Sequence, residues 1–327
     1  MRTKLALAAL VAVAVLAAAC GNGKDNTQGA AGATASPGAK PAASASVQPA
    51  KAATDTYPNA QLLADVKWTE EHTKDAKVKI LDVRSKGYEQ GHIPGAVAFN
   101  SGLLKDAKNN TIVDAAKATE LFQGLGLDKD TTVLVYDEGG NGLGATRVFY
   151  ALEYFSDKDH VKVLNGGYLA WTAAGKEVST DVPTPAKGNF VAVPDNKLIA
   201  TKDDIKKLES QQCVLLDVRS SGEYAGTDLR GNQKGGHIEN AVNKEWSDAI
   251  DANAPDGVPK FKPYKDLKAA FDQIGVVQDK TVIPYCQTNI RGAHTYFTLR
   301  LLGYSDVRPY EGAWAEWGNA SDTEVVK

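Results

Sequence analysis

The feature that most restricts what this chain can fold into is that it repeats itself. Ile80-Leu81-Asp82-Val83-Arg84-Ser85 recurs as Leu215-Leu216-Asp217-Val218-Arg219-Ser220. Gly91-His92-Ile93 recurs as Gly236-His237-Ile238, and an Ala-Val pair follows each copy, at Ala96-Val97 and Ala241-Val242. Thr132–Tyr136 matches Thr281–Tyr285, and Gly166–Trp171 matches Glu311–Trp317. All four pairs keep the same order. A spacing of about 140 residues is too long for a solenoid repeat and fits a duplicated domain.

Val78–Val83, Val133–Tyr136, Val214–Val218 and Thr281–Tyr285 are short, branched apolar runs with polar flanks, the pattern of buried strands. Asp266–Ile274 carries Leu267, Ala270, Phe271 and Ile274 at helical spacing. Strands alternating with helices predict an α/β protein of two tandem domains, each a parallel sheet flanked by helices. The expected domains are residues 57–180 and 198–327. Residues 181–197, with Pro183, Pro185 and Pro194, form the link. A chain of 327 residues, 43% of them hydrophobic, is long enough for two cores. The net charge of -3 gives no basic face for nucleic acid.

The N-terminus has Arg2 and Lys4, then an apolar run from Leu5 to Ala19 that ends on Cys20. The run falls short of the roughly 20 apolar residues of a membrane span and fits the core of an export signal. Leu16-Ala17-Ala18-Ala19-Cys20 resembles a bacterial lipobox, with its Leu one place further from the cysteine than is usual. That resemblance implies loss of residues 1–19, lipid on the Cys20 sulfur, and an exported lipoprotein held to a membrane. It would face the periplasm, and Gly21 after the cysteine leans towards the outer membrane. Residues 20–56 are rich in Ala, Gly, Ser and Pro and read as a flexible tether.

Three cysteines occur. Cys20 is assigned to lipid. Cys213 opens the run Val214-Leu215-Leu216 and is expected as a small buried hydrophobe, with no disulfide to Cys286. Cys286 is left for chemistry. It directly follows the strand Thr281–Tyr285, and ligands of parallel sheets bind beyond the carboxyl ends of strands. The loop continues Gln287-Thr288-Asn289-Ile290-Arg291-Gly292 into a helical pattern over Ala293–Leu302. Loop amides can cradle an anion, a helix start favours negative charge, and Arg291 adds a guanidinium; such surroundings favour thiolate. Asn289 suits a position of positive φ.

Cysteine, four residues and then arginine, after a strand and opening a helix, resembles the active-site loop of the rhodanese superfamily. Asp-Val-Arg, Gly-His-Ile and the Gly/Trp segments resemble that family's other signatures, over roughly residues 60–320. The resemblance implies a tandem sulfurtransferase with an inactive first domain, where Asp137 stands in the place of Cys286. It implies a Cys286 persulfide, a small anionic donor, a thiol or cyanide acceptor, and neither metal nor organic cofactor. Gln287, Thr288, Asn289, Ile290, Arg291 and Arg219 are the expected donor-binding residues. Asp82 and Asp217 are expected to tie loop amides, and His92 and His237 to bond backbone. Trp314 and Trp317 are expected to pack the core edge, and Trp246 to line a mouth between the domains.

One departure bears on the substrate. Where well-known thiosulfate and mercaptopyruvate enzymes carry an arginine, this chain has Glu223, in Gly222-Glu223-Tyr224. Thiosulfate is the first expectation and 3-mercaptopyruvate the alternative. A further alternative is an accessory lipoprotein that docks on an envelope redox complex and handles sulfur, selenium or tellurium species. A rhodanese-related phosphatase needs a loop one residue longer.

Overall fold

The computed structural model describes residues 55–155, 158–208 and 212–327. The expected export signal, Cys20 and nearly all of the tether lie outside these residues. Among the described residues no helix is long and apolar enough to cross a membrane.

The first half runs β1 (Leu63–Ala64), α1 (Val66–His72), β2 (Val78–Asp82), β3 (Val97–Ala98), α2 (Ala115–Gly124), β4 (Thr132–Tyr136), α3 (Leu143–Tyr154), β5 (Val161–Leu164) and α4 (Gly167–Ala173). Its strands form one parallel sheet in the order β1-β5-β4-β2-β3. Asp65 and Asp114 cap α1 and α2 by accepting the amides of Trp68 and Lys117. β2 and β4 are in register from Val78↔Thr132 to Asp82↔Tyr136, so their polar ends meet at one edge.

The second half runs α5 (Lys202–Lys206), β6 (Cys213–Asp217), α6 (Ser221–Tyr224), β7 (Val242–Asn243), β8 (Ile250–Asp251), β9 (Lys260–Phe261), α7 (Tyr264–Asp272), β10 (Thr281–Tyr285), α8 (Ile290–Leu301) and α9 (Ala313–Trp317). Parallel strands β10-β6-β7 form its centre. Parallel bridges Val282↔Val307 and Ala200↔Tyr310 continue the sheet where β5 and β1 lie in the first half. The antiparallel pair β8–β9 is an addition. The parallel sheets flanked by helices are those the alternating pattern predicts.

The two halves meet through α3 and α8. Residues Ala145–Tyr154 of α3 and Gly292–Leu299 of α8 are buried, the mark of helices enclosed on all sides. Phe149 meets Phe297 edge-on at 4.8 Å and Tyr150 meets Tyr296 at 5.2 Å. Each such pair contributes about 0.5–1.5 kcal/mol beyond its buried area. Two carboxylates lock the seam. Glu153 of α3 accepts from Tyr296 (2.5 Å) and from Arg300 Nε and Nη2 (2.9 and 3.0 Å) of α8. Glu311 accepts from Arg147 (3.0 Å) and Tyr150 (3.1 Å) of α3, and from Asn289.

The link and the end of the tether are both tied to the fold. Phe190 and Ala192 are buried, and the amides of Gly188, Phe190 and Asp195 bond carbonyls of Gln123, Leu127 and Tyr154. The tether ends before residue 56, since Asp55 already accepts the Lys265 amide at 3.3 Å. Both segments exchange water for backbone partners, which composition does not register.

Candidate active site

The repeated Asp-x-Arg is a strut. Asp217 Oδ1 accepts the Arg219 amide (3.0 Å), and its carboxylate grips the Arg219 guanidinium at 2.5–3.1 Å. Arg219 Nη2 also donates to the Gly236 carbonyl at 2.7 Å, and the guanidinium lies 4.1 Å from the centre of the Trp314 ring. Asp82, Arg84, Gly91 and Tyr168 repeat the arrangement. Arg219 is 1% exposed, with Nε and Nη2 bonded to Asp217 and Gly236 in place of the donor contact expected of it. Its role is to join the strand end, the Gly-His-Ile segment and α9. His92 and His237 bond backbone carbonyls of Tyr88 and Tyr224, as expected of structural histidines. Trp314 and Trp317 are buried. Trp246 packs edge-on against His294 at 5.1 Å, on the side of the first half's loop.

Cys286 is the first residue beyond β10 and is 1% exposed. Its carbonyl accepts the Trp314 amide (2.8 Å), and the Gln287 carbonyl accepts the Ala315 amide (2.9 Å). These bonds turn the loop's carbonyls towards α9. The amides of Gln287, Thr288 and Asn289 make no hydrogen bond among the described residues. Asn289 takes φ 55° at the start of α8, the left-handed conformation expected for it. The helix begins at Ile290, three residues before the apolar pattern becomes visible, which puts Arg291 in its first turn.

The side chains divide differently from expectation. Gln287 exchanges two 3.0 Å bonds with Asn232. Asn289 is buried and bonded to Glu311. Ile290 is exposed. The side-chain amides of Gln287 and Asn289 are thus engaged within the protein, while Ile290 is open to solvent. Thr288 is half-buried at the loop's crest.

Arg291 forms a two-pronged pair with Glu223, at 2.7 and 2.8 Å. Burial would lower the Arg291 pKa, but Glu223 and Cys286 reverse this and raise it, so the guanidinium stays charged. Burial would raise the Glu223 pKa, but Arg291 and Ser220 hold it at about 2. Glu223 thus neutralises the loop's own cation.

The first half shows what this loop geometry holds. Asp137 follows β4 as Cys286 follows β10, and its carbonyl accepts the Tyr168 amide at 2.9 Å. Its carboxylate receives the amides of Gly139 (3.2 Å), Gly144 (3.1 Å) and Ala145 (3.3 Å). Burial raises its pKa, and those amides oppose the rise without cancelling it. Asp137 thus sets a carboxyl group in a ring of amides at a helix start.

Cys213 is half-exposed, which corrects the expectation of a buried hydrophobe; it lines a cleft of about 660 Å³. It pairs with Thr281, four steps down the parallel strands from the end that bears Cys286. At about 3.3 Å per residue, the thiols lie too far apart to bridge. Both are free.

Sequence reasoning missed Lys105, Arg147 and Glu311. Arg147 of the first half and Asn289 of the cysteine loop share Glu311 as partner, and Lys105 follows the Ser101–Leu104 turn that packs on α3. Glu311 lies inside a recognised repeat, yet nothing in its spacing reveals its partners.

The fold and the cysteine loop define a duplicated α/β protein with a buried thiol beside unpartnered loop amides. The chain belongs to the rhodanese family: the family model described as a rhodanese-like domain matches residues 65–174 and again 201–320. It is 32% identical to the sulfur carrier protein TtuD of Thermus thermophilus, over 83% of this chain and 98% of that one. It is 32% identical to a thiosulfate sulfurtransferase of Corynebacterium glutamicum, over 81% of this chain and 90% of that one. The anaerobic ergothioneine biosynthesis enzyme of Chlorobium limicola, solved with trimethyl histidine, shares the fold. Its TM-score is 0.72 at 23% identity, over 83% of this chain and 72% of that one.

Proposed function

We propose that this protein is a sulfurtransferase that moves sulfane sulfur from thiosulfate to a thiol or cyanide through a Cys286 persulfide. The Cys286 thiolate attacks the outer sulfur of thiosulfate. A Cys286 S–S bond forms, the donor's S–S bond breaks, and sulfite leaves with the bonding electron pair. The acceptor then attacks the outer persulfide sulfur and returns the thiolate, a ping-pong scheme. The loop amides and the first turn of α8 stabilise negative charge on the carried sulfur, as an oxyanion hole does. Relatives over most of the chain are named sulfurtransferases and a sulfur carrier.

The observation that carries this reading is the contrast between the two loops. In the first half the ring of amides is filled by the Asp137 carboxylate. In the second half, unpartnered amides follow a cysteine. A thiosulfate–cyanide assay tests it. Cys286→Ser is expected to abolish turnover with an unchanged circular dichroism spectrum, and retained activity would refute the assignment. With 3-mercaptopyruvate as donor, turnover is expected to be lower than with thiosulfate; the reverse order would move the donor assignment to mercaptopyruvate.

The lipobox resemblance supports an exported protein held to a membrane through lipid on Cys20. Cys20→Ser is expected to release it from the membrane fraction, and continued membrane binding would contradict the anchor.

A further inference from the structure

We propose that the anionic oxygens of the sulfur donor are held by Lys105 and Arg147 of the first half, across the seam from Cys286. The proposal rests on Cys286 being the sulfur carrier and adds what binds its donor. The first ground is the charge balance of the catalytic half. Arg291 is paired with Glu223, and Arg219 with Asp217. Neither guanidinium is left to neutralise an incoming sulfonate or carboxylate.

The second ground is Arg147 itself. It is 4% exposed and donates through Nη2 to Glu311, yet its Nη1 has no partner. A buried guanidinium nitrogen without an acceptor is costly and calls for an explanation. Glu311 offers no full compensation, because it also accepts from Tyr150 and from Asn289 in the cysteine loop. Lys105 is half-buried, and its ammonium makes no ion pair or hydrogen bond among the described residues. It directly follows the turn Ser101–Leu104, which packs on α3.

The third ground is the internal symmetry. His294 is the fifth residue of α8 as Arg147 is of α3. Ile250 follows the turn Trp246–Ala249 as Lys105 follows Ser101–Leu104. In the direction where the contacts are plain, both reach across to the first half's loop. Ile250 lines the small cleft over Asp137–Gly142, and His294 lies 3.9 Å from where a Cβ on Gly142 would stand. By the same symmetry, Lys105 and Arg147 belong on the side of the Cys286 loop, where Arg147 and Asn289 of that loop are both bonded to Glu311. At these two matched positions uncharged Ile250 and His294 face the loop that holds its own carboxylate, although Lys260 also lines that cleft, and cations stand at the positions matched to the loop that must receive an anion.

Alkylation of the full chain by iodoacetate and by neutral iodoacetamide tests this, with labelling at Cys286 followed by mass. Lys105→Gln is expected to slow iodoacetate about fivefold and to leave iodoacetamide within about twofold, the size of one charge at the rim of a site. Lys105→Arg is expected to restore the selectivity. Arg147→Gln can disturb the Glu311 pair, so Arg147→Lys is the companion variant, expected to fold and keep the preference for the anion. The KM for thiosulfate and for 3-mercaptopyruvate in Lys105→Gln shows whether a sulfonate or a carboxylate is gripped. Selectivity unchanged in Lys105→Gln, or both reagents slowed equally, overturns the proposal. Thiol selectivity is read whether or not thiosulfate leaves sulfur on the protein. Failure to form a persulfide in the wild type would therefore refute the sulfur-carrier reading separately.

Discussion

Glu223 sets the charge beside the thiol. It completes a capping box with Ser220 and holds Arg291 through both oxygens. Its folded pKa of about 2 lies below the ordinary 4.5, so its contribution to stability is whole above pH 4.5 and is lost as pH falls towards 2. Glu223→Gln keeps the cap and releases Arg291. Cys286 alkylation by iodoacetate is expected to rise severalfold at pH 7, and a fall would contradict the neutralising role. Gly292 is fixed by its neighbour: a Cβ there would stand 2.2 Å from Asn289 Oδ1. Gly292→Ala is expected to cost about 1–3 kcal/mol and most of the activity, measured by urea unfolding and turnover. The left-handed Asn289 and the placement of Cys286 were legible because both follow from local order in the chain. The destinations of the Gln287 and Asn289 side chains were not, because Asn232 and Glu311 lie 55 and 22 residues away.

Among the elements, α3 and α8 carry the architecture. Glu153 is buried and bonded to two groups of α8. Glu153→Ala leaves Arg300 facing the seam without its carboxylate and is expected to cost about 3 kcal/mol in urea unfolding, whereas a loss below about 0.5 kcal/mol would show the pair to be incidental. The strands β2, β4, β6 and β10 were visible as apolar runs because each is buried on both faces. The two-residue strands β1, β3, β7, β8 and β9 are too short to show any period, and the strap at 181–197 is held by backbone bonds that side-chain patterns do not record. The first turn of α8 was hidden because Ile290 is exposed and Arg291 is turned to Glu223.

At the scale of the whole molecule, duplication has yielded two unlike loops joined by one continuous core. The repeats made that duplication legible. The traffic across the seam was not, since Arg147, Lys105 and His294 fall outside the matched motifs. His294 is enclosed by Trp246 and Phe261, and burial pushes its pKa down to about 3, against the pull of the Asn141 backbone. Unfolding lets this ring take up a proton below its ordinary pKa of 6.5, so stability falls as pH drops from 6.5 towards 3. Between pH 6.5 and 5 that is about 2 kcal/mol, and His294→Phe is expected to flatten the slope of stability against pH in urea titrations.

The central claim is that Cys286 carries a sulfur atom on a thiolate held among amides. Intact-mass measurement of the protein after incubation with thiosulfate and removal of excess reagent tests it most directly. The account requires one added sulfur per chain, mapped to Cys286, absent from Cys286→Ser and discharged by cyanide. An unchanged mass, or sulfur found on Cys213 instead, would contradict it.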